Sequence, residues 1–260
     1  LHLLSRRQRQ MCIRDRDSSG LVASVAVVEN DTLLAEYTVN YKKTHSQTLL
    51  PMLDEISNMT ELDLSTIDAI AVAGGPGSFT GLRIGSATAK GLGLALEKPL
   101  ISIPTTAAIA YNIWDTDKFV CPIMDARRNQ VYTGVYCYTD HRLDTVWEQD
   151  TMSIEALAEG LNCLDHEVIF LGDGVAVYRE KLEALLTIPF SFAPAHVNRQ
   201  RAAAVGALAE VYYKEGKIQT AEEHEPEYLR KSQAERERAE RESVKHADVV
   251  KKQENGEKSE

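Results

Sequence analysis

The fold class that this 260-residue chain predicts is α/β with mixed sheets. Three observations carry it. Apolar segments switch in order between the alternating pattern of strands and the three-to-four-residue pattern of helices. The strands come first as antiparallel meanders and then alternate with helices. The order starts over near residue 119, so the chain reads as two similar halves. With 43% hydrophobic and 26% charged residues the composition is that of an ordinary soluble globular protein, and no apolar run approaches the 18 residues of a membrane span.

The first half opens with a predicted hairpin, Leu21–Val28 and Thr32–Val39, turned at Glu29-Asn30-Asp31. Apolar residues at 49, 50, 52, 53 and 56 make Ser46–Ser57 a helix, with Pro51 near its start, where proline costs least. Ile67–Ala73 is a buried strand ending in glycines, Leu82–Leu96 a helix and Leu100–Ile103 a strand. In the second half, strands are expected at Phe119–Met124, Val131–Tyr138 and Thr145–Gln149. A helix at Ile154–Leu161, a strand at Glu167–Leu171 and a helix at Tyr178–Leu186 follow. A long alanine-rich helix, Arg199–Lys214, comes last. Each half places an aspartate and a short turn after its first strand: Asp17-Ser18-Ser19-Gly20 and Asp125-Ala126-Arg127-Arg128. An aspartate there suits a hydrated cation or a phosphate. It equally well closes its own turn by side-chain hydrogen bonds.

Charge is unevenly placed. Residues 17–226 hold 29 acidic and 15 basic side chains, a poor surface for gripping nucleic acid alone. Residues 231–260 nearly lack large apolar side chains and read as a charged, disordered tail. Cys12, Cys121, Cys137 and Cys163 show no CxxC spacing, which points to reduced thiols in the cytoplasm.

The most distinctive segment is Gly74-Gly75-Pro76-Gly77-Ser78-Phe79-Thr80-Gly81-Leu82-Arg83-Ile84-Gly85. It follows a strand and opens a helix, where phosphate-cradling loops sit. It matches neither a Walker loop nor a dinucleotide loop, and Pro76 removes a backbone donor, so a structural or partner-contacting loop is expected. The next helix carries two small-residue stripes, Gly85/Ala89/Gly93 and Ala87/Gly91/Ala95. Glycines inside a helix cost on the order of 1 kcal/mol each, which suggests a closely approaching neighbour. That neighbour is either a partner helix, with Ser46–Ser57 beside the same face, or the chain's own sheet. No two histidines stand at HxxxH or HExxH spacing, and no GxSxG nucleophile motif is present.

GGPGSFTGLRIG, followed by a helix and Ile103-Pro104-Thr105-Thr106, closely resembles the TsaB (YeaZ-type) family, a bacterial subunit of the machinery that makes threonylcarbamoyladenosine on tRNA. Asp17-Ser18-Ser19, His45-Ser46 with Leu50-Pro51, Met124-Asp125-Ala126-Arg127, Gly172-Asp173-Gly174 and Pro226-Glu227-Tyr228-Leu229-Arg230 match in the family's order. The resemblance implies an actin-like/Hsp70-like ATPase fold of two RNase H-like domains, here 17–104 and 105–230, with helix 199–214 able to pack on the first. It implies a non-catalytic subunit. TsaD-like catalytic subunits carry a metal-binding HxxxH pair; here that pair is His45 and Leu49, so no metal is expected.

Partners follow from the same resemblance. A TsaD-like subunit is expected on the first domain's helices, a TsaE-like ATPase in the complex, and tRNA only indirectly; a homodimer without TsaD stays open. The interface residues implied are His45, Leu49, Leu50 and Leu53 on one helix and Arg83, Gly85, Ser86, Ala89 and Gly93 on the other. Asp17, Ser18, Ser19, Asp125 and Arg127 are degenerate nucleotide or phosphate positions, and Gly75, Pro76, Gly77, Ser78, Phe79, Thr80 and Gly81 form the motif loop. No cofactor is expected on this chain, with ATP and Mg acting at the level of the complex. The alternative is an ATPase or peptidase-like enzyme of the same fold. Family members begin with an apolar strand running into the Asp-Ser-Ser. Here Arg14, Asp15 and Arg16 precede Asp17, and the string MCIRDR resembles translated adapter sequence. Residues 1–16 are therefore expected to be foreign; if they are native, the first sheet should be destabilised or lack a strand.

Overall fold

Two five-stranded sheets carry the chain in a computed structural model that describes residues 9–14 (backbone only), 22–40 and 48–229. The first sheet holds β1 (Arg9–Arg14), β2 (Val22–Glu29), β3 (Thr32–Asn40), β4 (Ile67–Gly75) and β5 (Leu100–Pro104), in the order β3-β2-β1-β4-β5. The second holds β6 (Phe119–Asp125), β7 (Gln130–Thr139), β8 (Arg142–Ser153), β9 (Val168–Leu171) and β10 (Phe190–Phe192). Its order, β8-β7-β6-β9-β10, repeats the first. In both, the first three strands pair antiparallel and the last two join in parallel, which makes the sheets mixed.

The helices repeat too. In the first half α1 (Leu49–Met59) follows the third strand, α2 (Phe79–Leu96) the fourth and α3 (Thr105–Ala110) the fifth. In the second half α4 (Ile154–Leu164), α5 (Val175–Leu185) and α6 (Ala202–Lys214) take the same places. The chain divides into units Leu1–Glu227 and Tyr228–Glu260, and both sheets belong to the first. Of the second unit only Tyr228 and Leu229 are described.

Three layers of core explain the residue choice. α1 and α2 cover one face of the first sheet through Leu49, Met52, Leu53, Ile56 and Ala89. α4 and α5 cover the outer face of the second through Leu157, Leu161, Tyr178 and Leu182. Between the sheets, α3 and α6 share a core with Ala26, Ile101, Met124 and Leu171. β2 is buried along its whole length, so it reads as a continuous run rather than an alternation. α6 is rich in alanine for the same reason, with Ala202, Ala204, Val205, Gly206, Leu208 and Ala209 all buried. Its N-terminus is fixed to the first sheet: Ala202 N–H donates to Ser24 Oγ at 2.9 Å and Ala203 N–H to Glu36 Oε1 at 3.0 Å. Arg201 closes a salt bridge to Glu36 at 2.5 Å.

Three elements depart from the sequence reading. α3 has no periodicity to reveal it, because all six residues are buried. β10 is only three residues long. β8 extends well beyond Thr145–Gln149, its ends masked by the charges of Arg142, Asp144 and Asp150. The first sheet lacks no strand: β1 occupies its centre, with Met11 opposite Val27 and Ile13 opposite Val25. Arg14 is its last residue; Asp15, Arg16 and the expected tail at 231–260 lie outside the described residues. No helix among the described residues is long and apolar enough to cross a membrane.

Candidate protein-binding face and its neighbouring loop

α2 starts where Ser78 Oγ accepts a hydrogen bond from Gly81 N–H at 3.3 Å and ends on Glu97 in the left-handed region. The Arg83 guanidinium lies 4.0 Å above the Phe79 ring, close enough for a cation–π contact. The two small-residue stripes of this helix have opposite fates. Gly85, Ser86, Ala89 and Gly93 are buried against the chain's own sheet. A Cβ on Gly93 would stand 3.1 Å from Leu100 and 3.3 Å from Ala221, so the close neighbour that glycine admits is internal. Leu49 and Leu53 of α1 are likewise buried. These six residues, expected at the partner interface, are buried within the chain itself. The exposed surface is Leu50, Pro51, Asp54, Glu55, Asn58 and Met59 of α1 and, on α2, Thr80, Arg83, Ala87, Gly91, Leu94 and Ala95. Leu94 is 58% exposed, and a Cβ on Gly91 would meet nothing within 4 Å.

The glycine-rich loop is filled by the chain itself. Gly75 has φ +127°, and a Cβ there would fall 2.2 Å from the Glu227 carbonyl oxygen. Glu227 N–H donates to the Gly74 carbonyl at 2.7 Å. Glu227 Oε2 accepts from Gln149 Nε2 at 2.6 Å, and Gln149 Oε1 accepts from the Thr106 hydroxyl at 2.8 Å. Thr106 in turn bonds the Tyr136 hydroxyl at 2.7 Å, and burial holds that phenol protonated far above its usual range. Two motifs of the sequence thus meet across 153 positions, with no room left for a phosphate cradle at Gly75. Sequence reasoning missed Gln149 and Tyr136, whose partners lie too far along the chain to show in spacing.

The segment before Glu227 runs as a strap along the first sheet. Gln219 exchanges two main-chain hydrogen bonds with Leu100 on β5, at 2.8 and 2.9 Å. His224 Nδ1 meets the Gln219 side-chain amide at 2.6 Å, while its Nε2 is buried with no partner. Burial, then the charge of Lys90, holds the His224 pKa below its ordinary 6.5.

In the second half, Asp125 closes its own turn. Its Oδ1 accepts from Arg127 N–H at 2.8 Å and from the Tyr178 hydroxyl at 3.1 Å. Arg127, Arg128 and Asn129 form a run of positive φ behind it. Asn129 donates to both oxygens of Glu155, which Lys181 also reaches at 3.2 Å. Those bonds, Asn129's first, hold the Glu155 carboxyl down at about 2. Asp17, Ser18, Ser19 and His45 lie outside the described residues. Burial pushes the Cys121 thiol up to about 12, which leaves it unsuited to act as a nucleophile. Among the described residues no three His, Cys, Asp or Glu side chains come together as a metal site.

Paired sheets of one strand order around shared buried helices define a protein of the actin-like ATPase fold class, built from RNase H-like halves. The family described as TsaD, tRNA N6-adenosine threonylcarbamoyltransferase, matches residues 32–238. The chain is 32% identical to "tRNA threonylcarbamoyladenosine biosynthesis protein TsaB" of Bacillus subtilis (strain 168), over 86% of this chain and 96% of the relative. It is 29% identical to the Escherichia coli (strain K12) protein of that name, over 84% and 94% of the two chains. The solved structure of YeaZ from Pseudomonas aeruginosa superposes with a TM-score of 0.73 at 25% identity, covering 85% of this chain and all of that one. This chain belongs to the TsaB (YeaZ-type) family.

Proposed function

We propose that this chain is a non-catalytic scaffold that pairs with a TsaD-like catalytic subunit for threonylcarbamoyl transfer to the adenosine next to the tRNA anticodon. The observation that carries the reading is the exposed, uncharged stripe Ala87, Gly91, Leu94 and Ala95 on α2. Small residues there let a second helix approach closely, and Leu94 supplies an apolar anchor. A TsaE-like ATPase joins the complex in this reading. ATP and Mg act at that level, because Asp125 is spent on closing its own turn. tRNA is held by the partner, in keeping with the acidic balance of residues 17–226. The site of action is the cytoplasm.

A reconstitution tests the proposal. TsaD, TsaE, threonylcarbamoyl-AMP, ATP and unmodified tRNA are mixed with and without this chain, and threonylcarbamoyladenosine is quantified by nucleoside mass spectrometry. Product is expected only with the chain, and not with its Leu94→Glu variant. Equal product in its absence overturns the scaffold reading; ATP hydrolysis by the purified chain alone favours the enzyme alternative.

A further inference from the structure

Two sheets present four edges, and unpaired edges invite another strand unless they are blunted. Three are blunted here. β10 is three residues long. β5 is covered by the Gln219 bridge. β8 carries Arg142, Asp144, Glu148 and Asp150 along its length. β3 differs on every count. It runs nine residues, contains no proline, and among the described residues pairs with β2 on one side only. Its single charge, Glu36, is turned into the molecule, where it binds Arg201 and the start of α6.

Beside this edge lies a groove of about 1130 Å³, walled by Leu34, Ala35, Tyr37 and Val39 of β3 and by Pro51, Met52, Ile56 and Met59 of α1. Leu34 is 40%, Tyr37 44% and Met59 77% exposed, so the groove has an apolar, solvent-facing rim over buried Met52 and Ile56. Such a groove alone names no ligand. The strand does, because a row of alternating free N–H and C=O groups is matched by an extended main chain and by little else. Charge narrows the choice further. On the α1 side, residues 48–66 hold four acidic side chains and no basic one, Glu55 among them on the groove wall, whereas Glu36 is already paired with Arg201. Lys42 and Lys43, in the connection between β3 and α1, lie outside the described residues.

We propose that β3 and the α1 groove form a peptide-docking site, where an extended segment of a protein partner adds as a sixth strand. Its side chains enter the groove at alternate positions, apolar ones against Tyr37 and Met59 and a basic one against Glu55. The site is separate from the α2 stripe and does not depend on the scaffold reading. Its occupant belongs to a class defined by pattern: a strand whose groove-facing alternate positions carry β-branched or aromatic residues and one Lys or Arg.

The test uses the full chain and a set of ten-residue peptides with Val, Ile or Tyr at four odd positions, Lys or Arg at the fifth, and Ser or Thr at even positions. Binding is measured by titration calorimetry and amide hydrogen exchange is followed over residues 32–40. The expected result is that members of the set bind and slow exchange on β3. N-methylation of alternate peptide amides, or Tyr37→Lys or Met59→Lys, should weaken binding at least tenfold; Val177→Lys on α5 should leave it within twofold. The proposal falls if no member of the set slows β3 exchange, or if the free chain already protects that edge. It falls too if N-methylated and parent peptides bind alike, which marks a charge effect only. A concentration-dependent dimer abolished by Tyr37→Lys assigns the edge to a second copy and overturns the proposal.

Discussion

α2 and α5 hold the same place in the two halves, each crossing from the fourth strand to the fifth, and they are built in opposite ways. α5 carries four charges in 11 residues, Arg179, Glu180, Lys181 and Glu183, and its Lys181 ties it to Glu155 of α4. α2 carries two charges in 18 residues, Arg83 and Lys90, and leaves Ala87, Gly91, Leu94 and Ala95 exposed. One outer face is finished for water. The other accepts the cost of exposed glycine and leucine, which is intelligible when a neighbour covers it. A repeated fold therefore does not repeat its surface, and the half that departs from ordinary surface chemistry is the one to probe.

The sharpest way to break this comparison is to place one charge on each side of α2. Ala89→Glu buries an unpaired carboxylate in the core and should cost about 4 kcal/mol or more, enough to unfold most of the chain in a denaturant titration. Leu94→Glu, on the opposite stripe, should change stability by less than about 1 kcal/mol yet weaken binding to the TsaD-like subunit by about 100-fold, roughly 2.7 kcal/mol. Val177→Glu on α5, a residue 58% exposed, should change neither. If Leu94→Glu binds as well as the parent chain, the contrast between the helices has no functional meaning.

A second contrast concerns what holds each half closed. Glu36→Gln removes the charge from a partly exposed pair that fastens α6 to the first sheet and should cost about 1–2 kcal/mol by chemical denaturation. The strap adds a pH dependence. His224 resists protonation in the folded state, whereas the unfolded chain takes up the proton near pH 6.5. Stability is full above that pH and falls as pH drops from 6.5 toward the lower folded value. His224→Asn should flatten this slope while leaving the curve above pH 7 parallel to that of the parent. The smallest expected effect is Gly91→Ala, which meets nothing within 4 Å and should stabilise the isolated chain by about 0.5–1 kcal/mol, visible as a Tm rise of about 1–4 °C.

Much of the fold was legible because its signals are local. The hairpin of β2 and β3, the apolar run of β4 and the stripe of α1 each announce themselves within a dozen residues. The two-half order was visible as well, through the restart at Phe119. What stayed hidden depended on distant neighbours. The spacing of Gly85, Ala89 and Gly93 signals close approach but not by whom, and only the positions of Leu100 and Ala221 assign it to the chain itself. The glycine loop's meaning was equally out of reach, since Gly75 needs its freedom because of Glu227.

The placement of α6 has a consequence in time. Ser24 and Glu36 cap a helix that begins at Ala202, so the part of the first sheet's inner face that α6 covers stays open until that helix exists. Every residue of the sheet has been made once Pro104 is reached, about 110 residues before Lys214 closes α6. At roughly 5–20 residues per second, a growing chain carries that apolar face unburied for about 5 to 20 s. That stretch of the first half is thus sealed late, and translation speed over residues 105–214 sets how long it waits.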